Sequence, residues 1–250
     1  MSGLRCSFAT SRSLALMTKF RHQYHISQPQ PYPQGFSFWP NYFSDTEQKT
    51  LLAASLHKLD QSETRRARRR RKEYWDSKLQ SLIRLGAGSP ASLFAPDDMY
   101  EFQEGHFDGV IHHFREMHLS SWPIEQFQDL SAILIRLYSL CPTKDIQTHI
   151  LHLASYGSIL PHVDNVNSSG AWILGVSLGG ERVLRMQKVP EGGENFSLNL
   201  PSGSVYLQRD QVRYNYLHSI ARKSREGAVV DAEQRLSIMI RDQNAYPSSY

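Results

Sequence analysis

Apolar residues in the first part of the chain return every three or four positions. Leu51, Leu52, Leu56 and Leu59 do so just after Ser44 and Glu47, whose spacing is that of a capping box, so a helix is expected to start there. Trp75, Leu79, Leu82 and Ile83 keep the helical spacing, as do Phe107, Val110, Ile111, Phe114 and Met117. Ser121 and Pro123 open a further periodic run through Phe127, Leu130, Leu134 and Tyr138. This reading makes the chain helical up to about residue 144. From Cys141-Pro142 onward the texture changes to short alternating or β-branched runs: IQTHILHL, SILPHVD, AWILGVSL, RVLRM, FSLNL, SVYLQ, RYNYL and RLSIMI. Turn residues such as Tyr156-Gly157, Gly179-Gly180 and Ser202-Gly203 separate them, the pattern of a β-sandwich or barrel from about residue 145. The polar stretch Arg222 to Gln234 reads as a loop between two of the last strands. An α+β protein is expected.

Composition changes this picture little. At 250 residues and 40% hydrophobic content, the chain suffices for one sizeable core with an extension. No run approaches the ~18 to 20 consecutive apolar residues of a membrane-crossing helix, so no transmembrane segment is expected. Cys6 and Cys141 lack disulfide or zinc spacing, which fits a reducing compartment.

Charge is more informative by position than by sum. The formal net charge is +4, yet from Met1 to Ser44 there is no acidic residue, and Arg5, Arg12, Lys19 and Arg21 lie among Ser, Thr, Ala, Leu and Phe. Residues 1–25 therefore read as a mitochondrial transit peptide, with a plain basic tail as the alternative. Those four cations equal the whole excess, so the basic balance says nothing about a partner. A proline-rich linker over 26–35 and a main domain over 36–245 follow. One basic run stays unexplained: Arg65 to Lys72 holds seven cations, which suits RNA or anionic lipid. Glu73 and Asp76 follow at helical distances, so a solvated helix face is the simpler alternative.

The chemistry lies in the second part. His162 and Asp164 are two apart, so on a strand they share a face, and His218 near the end of a later strand is the best third ligand. Two imidazoles and a carboxylate on one side of a metal leave open positions opposite, the arrangement that suits Fe(II) where O₂ and a co-substrate must both bind. In RLSIMIR, Arg235, Ser237, Met239 and Arg241 share one face and Leu236, Ile238 and Ile240 the other. The two arginines sit roughly 20 Å apart at ~3.3 Å per residue. They cannot clamp one carboxylate together, but they can lean in from either end of a groove. His112 and His113, on an expected helix, read as structural or solvated; His149 and His152 point to opposite faces of a strand and are not expected as ligands.

Taken together, PHVD, PSGSVYLQ, RYNYLHSI and RLSIMIR, with HFDGVIHHFREMHLSSW and LASYGSILPHVD, resemble the AlkB family of Fe(II)- and 2-oxoglutarate-dependent dioxygenases, most of all its mitochondrial branch. The similarity runs from about Phe36 to Arg241. It implies a double-stranded β-helix (jelly-roll) core behind an N-terminal helical layer, with Fe(II), 2-oxoglutarate and O₂ as cofactors. By the same resemblance His162, Asp164 and His218 match the iron ligands, Arg235 and Arg241 the 2-oxoglutarate arginines, and Tyr206 a tyrosine that hydrogen-bonds the co-substrate. Many members carry an Asn-x-Tyr pair where this chain has Leu151 and Leu153, which throws more of that work onto Tyr206 and the arginines. The implied activity is oxidative hydroxylation or demethylation in the mitochondrial matrix, linked to programmed necrosis and fatty-acid metabolism. An RNA-binding or RNA-demethylating protein and a non-catalytic scaffold are the alternatives. Members that repair nucleic acid grip a flipped base with a lid. With helices expected before Thr148, no hairpin is in view for that task, which favours a protein or small-molecule substrate over duplex nucleic acid.

Overall fold

The computed structural model describes residues 32–85, 88–166, 168–190, 193–222, 224–225, 228–229 and 233–243. The expected leader and most of the linker lie outside them. Strand β1 (Phe36–Trp39) is followed by helices α1 (Asp45–Ser62) and α2 (Arg65–Leu85). Ser44 caps α1 as expected: its side chain accepts from the Glu47 amide while the Glu47 carboxylate accepts from the Ser44 amide at 2.9 Å. Strands β2 (Gln103–Gly105) and β3 (Ile111–Leu119) come next, then helix α3 (Leu130–Tyr138). The rest is mainly strand: β4 (Ile146–His162), β5 (Trp172–Gly179), β6 (Arg182–Lys188), β7 (Phe196–Leu200), β8 (Ser204–Arg209), the short helix α4 (Asp210–Asn215), β9 (Tyr216–Arg222), β10 (Ser224–Arg225), β11 (Ala228–Val229) and β12 (Arg235–Asp242).

The order β1-β8-β5-β12-β4-β9-β6-β7 forms one curled antiparallel sheet, with β2 and β3 added alongside β4. This is the jelly-roll core expected from the sequence. Alternation on β12 divides its interior from its exterior. Leu236, Ile238 and Ile240 join Leu174, Val176 and Leu178 of β5 beneath Leu51, Leu52 and Leu59 of α1 and Leu130, Leu134 and Leu137 of α3. A second cluster holds Leu151, Leu153, Leu184, Met186, Leu198 and Leu200 together with Tyr206 and Ile220. The helices thus pack on the convex side and leave the concave side for chemistry.

Three expectations need correction. Phe107 to Met117 is not helical: Ile111–Leu119 is a strand of a β2–β3 hairpin, and His112 and His113 lie on it. The register with β4 shifts between His112 and Phe114, where His113 takes a positive φ of 54°. That bulge breaks the two-residue period and leaves the three-residue spacing that imitates a helix. Tyr156-Gly157 is likewise not a turn, since β4 runs straight through it. A Cβ on Gly157 would stand 2.7 Å from the His113 carbonyl oxygen, so glycine there admits the bulge. RYNYL is no strand either, because Arg213 to Asn215 belong to α4 and only Tyr216 and Leu217 to β9. Within the expected loop Arg222 to Gln234, β10 and β11 pair as a small ladder.

Candidate active site

His162 ends β4, and its register partner on β9 is His218, so antiparallel pairing alone sets the two imidazoles side by side at 4.2 Å between ring centroids. Asp164 lies two residues past β4 on the way to β5. Its Oδ1 is 3.1 Å from His162 Nε2 and 3.6 Å from His218 Nε2. One ligand atom from each of the three falls within 4.8 Å of the others. His162 Nδ1 is 2.9 Å from the Leu160 carbonyl, which can only accept; the ring therefore carries a proton on Nδ1 and turns Nε2 to the site. Burial pushes His218 down to about 3, keeping its imidazole neutral with a lone pair to give. Burial alone would raise the Asp164 carboxyl, but the Arg241 guanidinium and the two imidazoles hold it well below the usual carboxylate range. A proton on His162 Nε2 can bridge to Asp164 Oδ1, and against burial that contact raises the His162 pKa; a divalent iron could replace the proton, since the three atoms form an N₂O donor set.

The loop carrying Asp164 is held from beneath. Arg213, almost wholly buried on α4, donates from Nη2 to the Asp164 carbonyl at 3.2 Å and to the Ser169 carbonyl and hydroxyl at 3.0 and 3.1 Å. No local pattern in the sequence marks Arg213 for this task.

A cavity of about 510 Å³ opens beside the triad. Its floor is the inward face of β12, with Arg235, Ser237, Met239 and Arg241 all lining it, as the alternation predicts. Arg241 donates from Nε to Asp164 Oδ2 at 2.8 Å, standing at the metal end. Arg235 is 1% exposed at the far end, where its Nε donates to Ser177 Oγ at 2.9 Å. Its Nη2 is buried with no hydrogen-bond partner among the described residues. A desolvated guanidinium with an unmatched Nη2 beside a cavity is a group that a carboxylate would match. Tyr206, on β8, completes this wall, its hydroxyl 3.8 Å from Met239 Sδ, and burial raises its pKa. Gly175 makes that placement possible: a Cβ there would meet the Tyr206 ring at 2.4 Å. Leu151 lines the cavity, whereas Leu153 is buried beside it in the interior cluster.

The β2–β3 hairpin forms the outer wall, with Phe107 at its tip 93% exposed. Sequence reasoning missed this hairpin because it took the segment for helix. His106, Glu116 and His118 on this wall were not singled out either, and His149, not expected as a ligand, lines the cavity from β4. His152, by contrast, is fully buried away from the cavity.

Residues 112–241 match the model of the 2OG-Fe(II) oxygenase superfamily, a span from β3 to β12 that includes the triad, Tyr206 and both arginines. The chain belongs to that superfamily, whose chemistry uses Fe(II), 2-oxoglutarate and O₂. Among individual relatives, it is 35% identical over 123 residues to the alpha-ketoglutarate-dependent dioxygenase alkB homolog 7, mitochondrial, of Bos taurus, covering 49% of this chain and 55% of that one. The Mus musculus protein of the same name is 34% identical over 128 residues, with coverage of 49% and 55%. The match thus spans about half the length of these curated relatives. The solved structure described as "The structure of OsALKBH1" shares the fold, with a TM-score of 0.50 at 15% identity over 85% of this chain and 100% of that one.

Proposed function

We propose that this chain is an Fe(II)- and 2-oxoglutarate-dependent dioxygenase that hydroxylates or demethylates a protein or small-molecule substrate. One observation carries the reading: the His162–Asp164–His218 set and the half-satisfied, buried Arg235 occupy opposite ends of one cavity. The bound metal and 2-oxo acid would supply oxidising power from O₂, releasing succinate and CO₂. The chain's own residues do the rest. His162, Asp164 and His218 hold the metal; Arg235 takes the distal carboxylate, and Tyr206 stands over the co-substrate. Arg241 keeps Asp164 ionised and aimed. Leu151, Ile159 and Ile220 line the cavity with hydrocarbon and exclude water.

Asp108 and Glu116 line the outer wall and oppose the phosphates of a duplex, which supports a protein or small-molecule substrate now that the hairpin removes the earlier ground for it. An RNA or anionic-lipid contact through Arg65 to Lys72 is the second reading. It draws on Arg65, Arg66 and Arg68, which are exposed, whereas Arg69 and Lys72 pair with Glu73 and Asp76 at 2.8 and 2.7 Å and Arg71 is buried. A mitochondrial site of action is supported by the names of the relatives and by the acid-free leader. The matrix assignment and the links to programmed necrosis and fatty-acid metabolism rest on the resemblance alone.

The test is succinate release from 2-oxoglutarate with Fe(II), O₂ and fractionated mitochondrial extract, comparing the wild type with His162→Ala and Arg235→Ala. Release that depends on the extract and vanishes in both variants is expected. Equal release from all three proteins would leave only a scaffold that keeps the fold. For location, a reporter fused to residues 1–33 should reach mitochondria, and cytosolic retention would remove that part.

A further inference from the structure

We propose that His149 and Glu116 are positioning residues, which hold Arg241, and through it the metal-facing carboxylate of Asp164, in the geometry the site needs. The proposal rests on the dioxygenase reading of this cavity and adds two residues to it, Glu116 on β3 and His149 on β4, the strand that ends in His162.

An arginine guanidinium has only donors, so where Arg241 Nη1 approaches His149 Nδ1 at 3.4 Å the ring nitrogen must accept. A neutral imidazole that accepts at Nδ1 carries its proton on Nε2. That atom is buried and lies 3.1 Å from Glu116 Oε2, close enough for the carboxylate to favour a proton there by charge, although the geometry is not that of a formed hydrogen bond. His118, the register partner of His149 across β3 and β4, stacks on the ring at 4.5 Å between centroids and 11° between planes, which holds its tilt. The other Glu116 oxygen lies 3.7 Å from His106 Nε2, and His106 Nδ1 is 2.8 Å from Asp108 Oδ1 in the hairpin turn.

A chain of contacts follows. Glu116 faces His149 at ion-pair distance, His149 accepts from Arg241, and Arg241 donates through Nε to Asp164 Oδ2 at 2.8 Å. The orientation of a metal-facing carboxylate on the β4–β5 loop is thereby linked to β3. Burial alone would raise the Glu116 carboxyl; the His149 contact and the neighbouring imidazoles bring it below its ordinary value, so it stays an acceptor at neutral pH. Without His149, the Arg241 guanidinium keeps, among the described residues, the Asp164 hydrogen bond on a long, flexible stem and swings about it. Outer partners of this kind orient ligands without touching the metal.

The experiment uses His149→Leu, which removes both polar contacts, and His149→Gln, whose amide oxygen can accept from Arg241 while its NH₂ donates to Glu116. Glu116→Gln is the third variant. Co(II) serves as the metal probe, read by its visible absorption, and 2-oxoglutarate affinity is read by calorimetry on the Co(II)-loaded proteins. Leu is expected to weaken Co(II) and 2-oxoglutarate binding about 10- to 100-fold and to alter the Co(II) band, with Gln recovering most of the loss. Glu116→Gln is expected between the two. With Fe(II), the 2-oxoglutarate KM rises more in the Leu variant than kcat falls. Melting curves for all four proteins identify unfolding, which would lower stability without being rescued in the Gln variant's Co(II) band. Wild-type affinity and an unchanged band in His149→Leu, or equal damage in Leu and Gln, overturn the positioning role. A wild type that binds neither Co(II) nor 2-oxoglutarate overturns the dioxygenase reading itself.

Discussion

Arg115 Nε donates to His152 Nδ1 at 2.9 Å across the β3–β4 pair. The imidazole's proton therefore sits on Nε2, where Gln234 Oε1 accepts it at 2.9 Å, and Gln234 passes its own Nε2 proton to the Ala95 carbonyl at 2.7 Å. Arg115 Nη1 is in turn 2.8 Å from Asp60 Oδ1 on α1. Phe94, Tyr100 and Phe102 pack around the ring, which is wholly buried. This network joins the helical layer to the strands behind the cavity, and only a neutral His152 fits it.

Stability should therefore fall in mild acid. Burial, with Arg115 beside it, holds His152 well below its ordinary value, so as pH drops below about 6.5 the unfolded chain takes up a proton that the folded chain refuses. The contribution is complete above that pH and is lost as pH falls toward the depressed folded value, at up to about 1.4 kcal/mol per pH unit. His152→Gln keeps an acceptor for Arg115 and a donor for Gln234 without titrating. Urea unfolding at pH 7.5, 6.5 and 5.5 should give a shallower acid slope for the variant. His118 and His218 are displaced in the same direction in both proteins, so the difference isolates His152. Parallel slopes would refute this.

The basic run on α2 divides into structural and surface members. Arg71 is buried, pairs with Glu63, lies 3.0 Å from Asp60 and donates to the Met99 carbonyl at 2.8 Å. Arg71→Ala leaves the Glu63 carboxylate, itself almost wholly buried, without one of its two guanidinium partners. A loss of about 3 kcal/mol or more is expected, whereas Arg68→Ala should stay within about 0.5 kcal/mol. Denaturant midpoints compare them directly.

Gly175→Ala should disturb Tyr206 more than the sheet. The added methyl meets the ring at 2.4 Å and the hydroxyl at 2.6 Å, and overpacking of this kind costs about 1–3 kcal/mol. In a Tyr206→Ala background that cost should largely disappear, giving a large coupling in a double-mutant cycle. Additive losses would mean that the methyl strains the backbone instead.

Arg235→Met should separate stability from ligand binding. Removing a fully buried guanidinium whose Nη2 has no partner among the described residues should raise the stability of the ligand-free chain by about 1 kcal/mol or more while abolishing 2-oxoglutarate binding. Thermal melting without ligand, beside calorimetric titration, reads both. A variant that is less stable would show that Arg235 supports the sheet rather than the co-substrate.

The inward face of β12 was legible because a period of two places Arg235, Ser237, Met239 and Arg241 together whatever surrounds them. The capping box of α1 was legible for a similar reason, since its signal is local. The hairpin was not: one bulge at His113 puts Ile111 and Phe114 three apart on one face, Met117 on the other face extends the helical spacing by coincidence, and the compensating Gly157 lies 44 residues away and looks like a turn. Arg213, Gly175 and the Glu116–His149 pair were hidden because each acts through a neighbour distant in sequence. The ligand residues themselves could be named as candidates, but the pairing of His162 with His218 is a property of β4–β9 register.

Arg235 has one more consequence. A folded chain that buries a charge with one side unmatched is completed by the ligand that matches it, and by mass action such a ligand draws the folding equilibrium toward the native state. At a hundred times its dissociation constant the gain is about 2.7 kcal/mol. The lifetime of the protein against unfolding and proteolysis would then follow the concentration of the 2-oxo acid, so that the quantity of enzyme present, as well as its rate, would register the supply of co-substrate.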